Sequence, residues 1–160
     1  NISPESEYLH RKAELKRLVQ ELPLGHPVRI VDGDYVPERF YALAKGLEDL
    51  PERGLRCQKC IGHRLEETFR IALQQPERPD YVCTTLTISP HKDAVFINTK
   101  GTELAQQYGI AWLPTDFKKK GGYQRSIVLS REYDLYRQNF CGCVYSRLEA
   151  ERREKEMASS

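Results

Sequence analysis

The apolar residues of this chain follow two spacings, one typical of amphipathic helices and the other of short buried strands. Helical spacing predicts helices over residues 5–22, 37–47, 57–73 and 94–108. Continuous apolar runs predict strands over residues 28–31, 81–86 and 110–113. This alternation predicts an α/β fold in which a largely parallel sheet carries helices on both faces, in the manner of a Rossmann-like domain.

Composition is that of an ordinary globular protein. Of the 160 residues, 39% are hydrophobic and 30% are charged, and the formal net charge is only +2, so global charge does not indicate a nucleic-acid partner. No apolar run reaches membrane-spanning length. We expect one α/β domain over residues 1–146, followed by a charged helix or frayed tail over 147–160 that has no assigned function.

Four of the five cysteines form two short motifs, Cys57-x-x-Cys60 and Cys141-Gly-Cys143. Thiolates at either spacing can chelate one zinc or iron centre, and four of them predict a single metal site. At a helix start, the free N–H groups of the first turn favour thiolate over thiol, which suits Cys57 and Cys60 as ligands. A thioredoxin-like redox pair is the alternative for this first motif.

Cysteine usage also predicts the compartment. Cysteine pairs in a chain without a signal-peptide pattern indicate a reducing environment, so we expect a cytoplasmic protein with no membrane association. The fifth cysteine, Cys83, lies in the apolar run 81–86 and is predicted to be a small core residue.

Two polar segments are candidates for binding. His91 and Lys92 follow the predicted strand 81–86, where α/β folds place their ligand sites, although a plain strand-to-helix loop explains them equally well. The second segment, 118–125, is basic and glycine-containing and suits phosphate contact and base stacking, whereas its composition alone favours a solvated loop. Its candidate residues are Lys118, Lys119, Lys120, Tyr123 and Arg125.

Five ordered blocks of the sequence resemble the QueH family of epoxyqueuosine reductases. The resemblance covers residues 1 to about 146 and is far more specific than either cysteine motif alone. The blocks are 1–8, which begins Asn-Ile-Ser-Pro; 52–60, which contains Cys57 and Cys60; 84–92, which ends Ser-Pro-His-Lys; 116–119, which reads Asp-Phe-Lys-Lys; and 135–146, which contains Phe-Cys-Gly-Cys.

The resemblance implies a cobalamin-independent, iron-sulfur oxidoreductase that reduces epoxyqueuosine to queuosine at the wobble position of tRNA. It implies a 4Fe-4S cluster with an additional iron ion, an electron donor that the sequence does not identify, and the anticodon stem-loop as partner. The implied ligands of the metal site are Cys57, Cys60, Cys141 and Cys143.

Within this family context, other residues acquire candidate roles. His91, Lys92 and Tyr136 are candidates to donate protons or to orient the epoxide oxygen, and Arg137 is a candidate to contact the cluster or the tRNA. The basic segment becomes a candidate tRNA contact, with its lysines and Arg125 on phosphates and Tyr123 stacking on a base.

The family pattern also implies a segment that this sequence does not contain. Family members begin with a strand that ends in a Cys-Cys-x-Pro-Cys-like segment and continues into a helix, directly before the Asn-Ile-x-Pro block. Because the chain starts with that block at Asn1, we expect it to lack the first βα unit and part of the metal site, and to be inactive alone.

Two other classes of protein remain compatible with the residues themselves. One is an RNA-binding module in which the four cysteines hold a structural zinc and no catalysis occurs. The other is a nucleotide-binding α/β hydrolase that adenylates its substrate. The strand-end residues Thr84, Thr85 and Ser89 suggest this class, but the sequence has no glycine-rich phosphate loop.

Overall fold

The computed structural model describes residues 1–159, which form an α/β fold with six α-helices, one 3-10 helix and two short strands. The elements are α1 (Glu5–Glu21), α2 (Pro37–Ala44), α3 (Leu55–Leu73), β1 (Tyr81–Val82), the 3-10 helix (Thr85–Ile88), α4 (Ala94–Tyr108), β2 (Ala111–Trp112), α5 (Gly122–Glu132) and α6 (Val144–Ala158). The strands pair in parallel, with Tyr81 opposite Ala111 and Val82 opposite Trp112. The α/β class is confirmed, and the Rossmann-like arrangement stays a prediction.

The chain divides into two compact units. The terminal unit consists of residues 1–42 together with the chain from Val128 onward, and the central unit is Leu43–Ile127. The single domain predicted over residues 1–146 stays a prediction. Within residues 1–159, no helix is both long enough and apolar enough to cross a membrane.

The core of the central unit forms where α3 and α4 pack on the two strands. Apolar residues recur every four positions on α3, so Ile61, Leu65 and Phe69 lie on one face and are buried, as predicted. Helix α4 is capped at its start by Asp93, whose carboxylate accepts hydrogen bonds from two backbone N–H groups, and at its end by Gly109 in the left-handed conformation (φ 67°). The core is completed by Val82, Ile97, Leu104, Ile110 and Trp112.

Helix α4 lies directly against the indole ring of Trp112. A Cβ atom at Gly101 would lie 2.2 Å from that ring, so only glycine allows this approach. The indole Nε1 donates to Asn98 Oδ1 (3.1 Å), and Asn98 in turn donates to the carbonyl of Thr115 (2.9 Å). These contacts fix the chain immediately after β2.

A second set of hydrogen bonds holds the start of the basic segment. Thr87 is fully buried, and its hydroxyl lies 3.1 Å from that of Thr115 and accepts from the N–H of Phe117 (3.3 Å). The carbonyl of Thr87 accepts from the N–H of Lys118 (3.3 Å). The residues that follow β2 are therefore anchored to the 3-10 helix, which immobilises the backbone where the basic segment begins.

The terminal unit is held by aromatic and backbone contacts. Phe40 is buried and packs against Tyr145 with ring centroids 6.0 Å apart, and Tyr8 stacks on Tyr35 at 4.5 Å. The hydroxyl of Tyr35 donates to the carbonyl of Ile2 (3.0 Å). Helix α6 covers most of the segment predicted to be a charged tail and buries Ser146 and Ala150.

Two strand predictions differ from the structure. Residues 28–31 adopt no regular element, and Val28 and Val31 are about half exposed (52% and 46%), because the apolar run has no neighbouring strand among the described residues. The strand predicted over 81–86 ends at Val82, since the hydroxyl of Thr84 accepts from the N–H of Leu86 and starts the 3-10 helix.

The predicted burial of Cys83 is wrong. Side chains alternate between the two faces of a strand, and Val82 is the residue that points into the core. Cys83 follows on the opposite face and is exposed. A continuous apolar run does not reveal which of its residues occupies the buried face.

Candidate functional site

The loop Cys141-Gly142-Cys143 brings two thiols together in the terminal unit. The two Sγ atoms lie 3.6 Å apart, and Cys143 is 4% exposed. Cys143 also caps α6, because its Sγ accepts from the N–H of Ser146 (3.5 Å), and the hydroxyl of Ser146 lies 3.0 Å from Cys141 Sγ. The hydrogen bond to the Cys141 thiol raises the pKa of Cys143, and burial raises it further.

The backbone of this loop requires glycine at its centre. Gly142 has φ 122°, in the region that other residues rarely adopt, and a Cβ atom there would lie 3.1 Å from Arg11 Nη1 and 3.2 Å from Ile2 Cγ1. The carbonyl of Gly142 accepts from the N–H of Ser3 (2.9 Å). The blocks 1–8 and 135–146, which the sequence separates by more than a hundred residues, therefore lie against each other.

Tyr136 lies in the same unit and is protonated at neutral pH. Its hydroxyl donates to Glu7 Oε1 (3.0 Å), and the edge of its ring contacts that of His10 with centroids 4.5 Å apart. Burial raises the pKa of Tyr136, and the hydrogen bond to Glu7 raises it further. The phenol therefore retains its proton, as a proton donor must.

Cys57 and Cys60 occupy the first two turns of α3, as predicted. The helix begins at Leu55 after the extended residue Gly54, and both thiols are partly exposed. Arg56 points the other way and is 3% exposed, and its guanidinium donates to the carbonyls of Leu47 (3.4 Å) and Glu48. This buried arginine fixes the start of the helix and thereby the position of Cys57.

A cavity of about 250 Å³ in the central unit is lined by Cys57 together with His91 and Lys92. Arg53 donates to the carbonyls of His91 (3.1 Å) and Pro90 (3.2 Å), and Lys92 Nζ lies 3.1 Å from Glu52 Oε1. The blocks 52–60 and 84–92 are thus joined around this cavity. Its other lining residues are Arg53, Gln58, Ile61, Pro90, Asp93 and Phe96.

The four predicted metal ligands are distributed as two pairs, one in each unit. Within either unit of the described chain, no three side chains of His, Cys, Asp or Glu are grouped to hold a metal ion. Convergence of Cys57, Cys60, Cys141 and Cys143 on one centre stays a prediction. The donor chemistry fits iron or zinc, both of which prefer thiolates.

A counterion that sequence reasoning missed lies two residues before the basic segment. Asp116 pairs with Lys118 (2.8 Å) and Lys119 (3.3 Å), and the hydrogen bond from Lys118 is the main reason that the pKa of Asp116 is lowered. Lys120 is exposed and has a positive φ of 50°. The Asp-Phe-Lys-Lys spacing could have indicated this pairing.

The remaining predicted contacts are placed as follows. Tyr123 lies half-buried in the first turn of α5, and Arg125 is exposed two residues later, so both belong to the central unit with the lysines. Arg137 lies in the terminal unit and donates to the hydroxyl of Ser130 (3.0 Å). The structure therefore groups Tyr123 and Arg125 with the basic segment, and Arg137 with Tyr136.

The fold and the cysteine motifs define an α/β protein that carries two pairs of cysteines, one pair in each unit. The family model described as "Epoxyqueuosine reductase QueH" matches residues 1–149, and this chain belongs to that family.

Among its relatives, the protein named "Epoxyqueuosine reductase QueH" from Streptococcus pyogenes serotype M1 is 41% identical over 148 residues, which are 91% of this chain and 57% of that protein. The protein of the same name from Staphylococcus epidermidis is 39% identical over 150 residues, covering 91% of this chain and 62% of that protein. The protein of that name from Thermotoga maritima is 37% identical over 158 residues, which are 97% of this chain and 78% of that protein. This chain thus spans about three fifths of the first two relatives.

Proposed function

We propose that this chain is part of an enzyme that reduces epoxyqueuosine to queuosine at the wobble position of tRNA, in the cytoplasm, with an iron-sulfur cluster and an additional iron ion. The family and the names of the relatives support the reaction. The remaining support comes from the cysteine pairs and from the residues around them.

The observation that carries the metal assignment is the 3.6 Å separation of the Cys141 and Cys143 Sγ atoms. Two sulfurs bonded at about 2.3 Å to one tetrahedral metal ion lie about 3.8 Å apart. The loop therefore has nearly the spacing of two thiolates on one metal ion, which supports a mononuclear centre such as the additional iron, because each thiolate of a 4Fe-4S cluster binds a different iron. Metal binding would remove the thiol proton, which the raised pKa of Cys143 otherwise retains.

The second pair of ligands is Cys57 and Cys60. They belong to adjacent turns of α3, and both thiols are partly exposed. Because Cys57 also lines the cavity, a substrate group in that cavity would lie next to a metal ligand. We assign the cavity to the part of the modified base that is reduced.

Removing the epoxide oxygen to leave an alkene and water requires two electrons and two protons. A bound iron-sulfur cluster, reduced by an external electron donor, would supply the electrons, which amino-acid side chains do not provide. The protein must supply or relay the protons and hold the oxygen in place. His91 and Lys92 line the cavity and could bind or protonate that oxygen, and the side chain of Lys92 is oriented by Glu52.

Tyr136 is a further candidate for proton delivery. Its Oη carries a proton that is hydrogen bonded to Glu7, and its raised pKa keeps that proton in place across the neutral range. A carboxylate that accepts this bond can also orient the phenol. Because its raised pKa makes the phenol a weaker acid, the tyrosine would give up its proton only as negative charge develops on the epoxide oxygen.

We assign tRNA binding to the basic segment. Lys118, Lys119, Lys120 and Arg125 would contact phosphates, Tyr123 would stack on an unpaired base, and Arg137 would contact tRNA or the cluster. The anchoring of the segment by Thr87 supports this assignment, because an immobilised backbone loses little entropy when it binds.

Metal analysis of the full protein, purified without oxygen, tests this function. We expect iron and acid-labile sulfide with broad visible absorbance, and we expect Cys57→Ala to lower both while Cys83→Ala retains them. Stoichiometric zinc without sulfide would instead favour an RNA-binding module with a structural four-cysteine site.

A further inference from the structure

We propose that Arg11 is a positioning residue that holds the Cys141-Gly142-Cys143 loop in ligand geometry before a metal binds. This inference rests on the proposed metal-binding role of the loop. Arg11 lies on α1, 130 positions before Cys141, and has no place in either cysteine motif.

All three nitrogens of the Arg11 guanidinium are engaged. Nη1 donates to the carbonyl of Cys141 (3.2 Å), Nη2 to the carbonyl of Phe140 (3.4 Å), and Nε to Glu7 Oε1 (2.7 Å). The guanidinium carbon also lies 5.0 Å from the centre of the Phe140 ring. With its side chain 13% exposed, Arg11 is a partly buried fork whose shape lysine cannot reproduce.

The loop carbonyls are satisfied in succession by groups outside the loop. Arg11 binds the carbonyls of Phe140 and Cys141, and the N–H of Ser3 binds that of Gly142 (2.9 Å). These bonds hold the peptide planes on both sides of Gly142, whose φ of 122° is conformationally costly for other residues. The directions of both Cα–Cβ bonds follow from those planes, so the thiols are brought to 3.6 Å by the protein itself.

The effect of Arg11 is geometric rather than electrostatic. Its charge is offset by Glu7, which also accepts the hydroxyl bond of Tyr136 (3.0 Å). A lysine at position 11 would keep a positive charge but could not donate to two carbonyls and one carboxylate in a single plane. The Arg11→Lys variant therefore distinguishes an effect of hydrogen-bonding geometry from an effect of charge.

Arg17 provides a matched control on the same helix. Its guanidinium also donates to two successive carbonyls, those of Tyr133 (3.0 Å) and Asp134 (3.1 Å), and pairs with Glu14 and Glu21. Those carbonyls precede the cysteine loop by several residues. Arg17→Lys thus removes the same kind of anchor from the same unit without touching the loop.

The experiment is anaerobic titration of the full metal-free protein with Co²⁺, in competition with a chelator of known affinity. Thiolate-to-cobalt charge-transfer absorbance reports binding at the cysteines, and Cys143→Ala identifies the part that this loop contributes. Loss of an outer partner of a metal ligand commonly weakens metal binding by about 10-fold to 100-fold. For Arg11→Lys, we expect cobalt affinity to fall by that factor and the cobalt spectrum to change. For Arg17→Lys, we expect both to stay close to wild type.

Three outcomes would overturn the proposal. Wild-type cobalt affinity in Arg11→Lys would show either that a positive charge at position 11 is sufficient or that this side chain does not affect the loop. Equal weakening by Arg17→Lys would show a general effect on the terminal unit. Absence of any thiolate-cobalt band in the wild-type protein would remove the metal role of the loop, and with it both this inference and the proposed cofactor.

If Arg11→Lys fails to fold, a second variant provides the test. Phe140→Leu removes the ring beneath the guanidinium but leaves both carbonyl bonds possible, so cobalt binding should weaken by only a few fold while helix content stays unchanged. A loss of cobalt affinity in Phe140→Leu as large as that in Cys143→Ala, with helix content unchanged, would contradict the account, because both carbonyl bonds remain possible in this variant.

Discussion

The basic segment gives the most quantitative prediction, because the structure shows how much of its charge is already neutralised. Replacing Lys118, Lys119 and Lys120 together with alanine should weaken tRNA binding and reduce its salt dependence. Asp116 pairs with the first two lysines, whereas Lys120 is exposed on a turn with positive φ. The three lysines and the aspartate together carry a net charge of about two.

That net charge determines how much the salt dependence of tRNA binding should change. Each phosphate contact contributes about 0.7 to the logarithmic salt slope for single-stranded nucleic acid and about 0.9 for duplex. Two effective contacts therefore correspond to a slope reduced by about 1.4 to 1.8, and to roughly 25-fold to 60-fold weaker binding at about 0.1 M salt. Lys120→Ala alone should account for about half of the slope change, and Lys118→Ala for less.

The assay is fluorescence or filter binding of the anticodon stem-loop to the full protein over a range of salt concentrations. A matched control removes three cations from α6, where no function is assigned, in the variant Arg152→Ala, Arg153→Ala, Lys155→Ala. Asp116→Asn should act in the opposite direction and strengthen binding, because two lysines lose their counterion. An unchanged slope in the triple lysine variant, or an equal loss in the α6 control, would return the segment to a solvated surface loop.

Three further predictions concern the cofactor, the core and the chemistry. Cys143→Ala should lose iron and sulfide while Cys83→Ala, whose thiol is exposed, retains them; equal loss in both variants would show that Cys83 is a ligand or that the fold has collapsed. Gly101→Ala should lower the free energy of unfolding in urea by about 1–3 kcal/mol, because its Cβ would lie 2.2 Å from Trp112, and an unchanged midpoint would refute that close packing. Tyr136→Phe should retain iron but slow epoxide reduction by about 100-fold to 10,000-fold if the phenol is the acid, and an unchanged rate would assign the proton elsewhere.

Local features of the fold could be predicted because their causes are local. The spacing of Ile61, Leu65 and Phe69 fixes the buried face of α3, and Gly109 ends α4 because glycine readily adopts the left-handed conformation. The position of Cys57 and Cys60 at the start of α3 follows from the same pattern. Each prediction depended on residues within a few turns of one another.

Features that depend on distant partners could not be predicted in this way. The exposure of Cys83 depends on which side of β1 meets the core, and the irregular conformation of residues 28–31 depends on the lack of a paired strand among residues 1–159. The contact between Arg11 and Cys141 spans 130 positions, and no periodicity encodes it. The family resemblance identified both segments as important but did not reveal that they touch.

The central proposal is that the enzyme to which this chain belongs reduces epoxyqueuosine in tRNA, and it is tested most directly by following the modified nucleoside. The full protein, with its iron and sulfide quantified, is reduced without oxygen and incubated with tRNA that carries epoxyqueuosine, and the digested nucleosides are measured by mass spectrometry. We predict conversion to queuosine with the loss of one oxygen atom, and none with Cys143→Ala. Unchanged epoxyqueuosine after incubation with reduced, cluster-containing protein would contradict the claim.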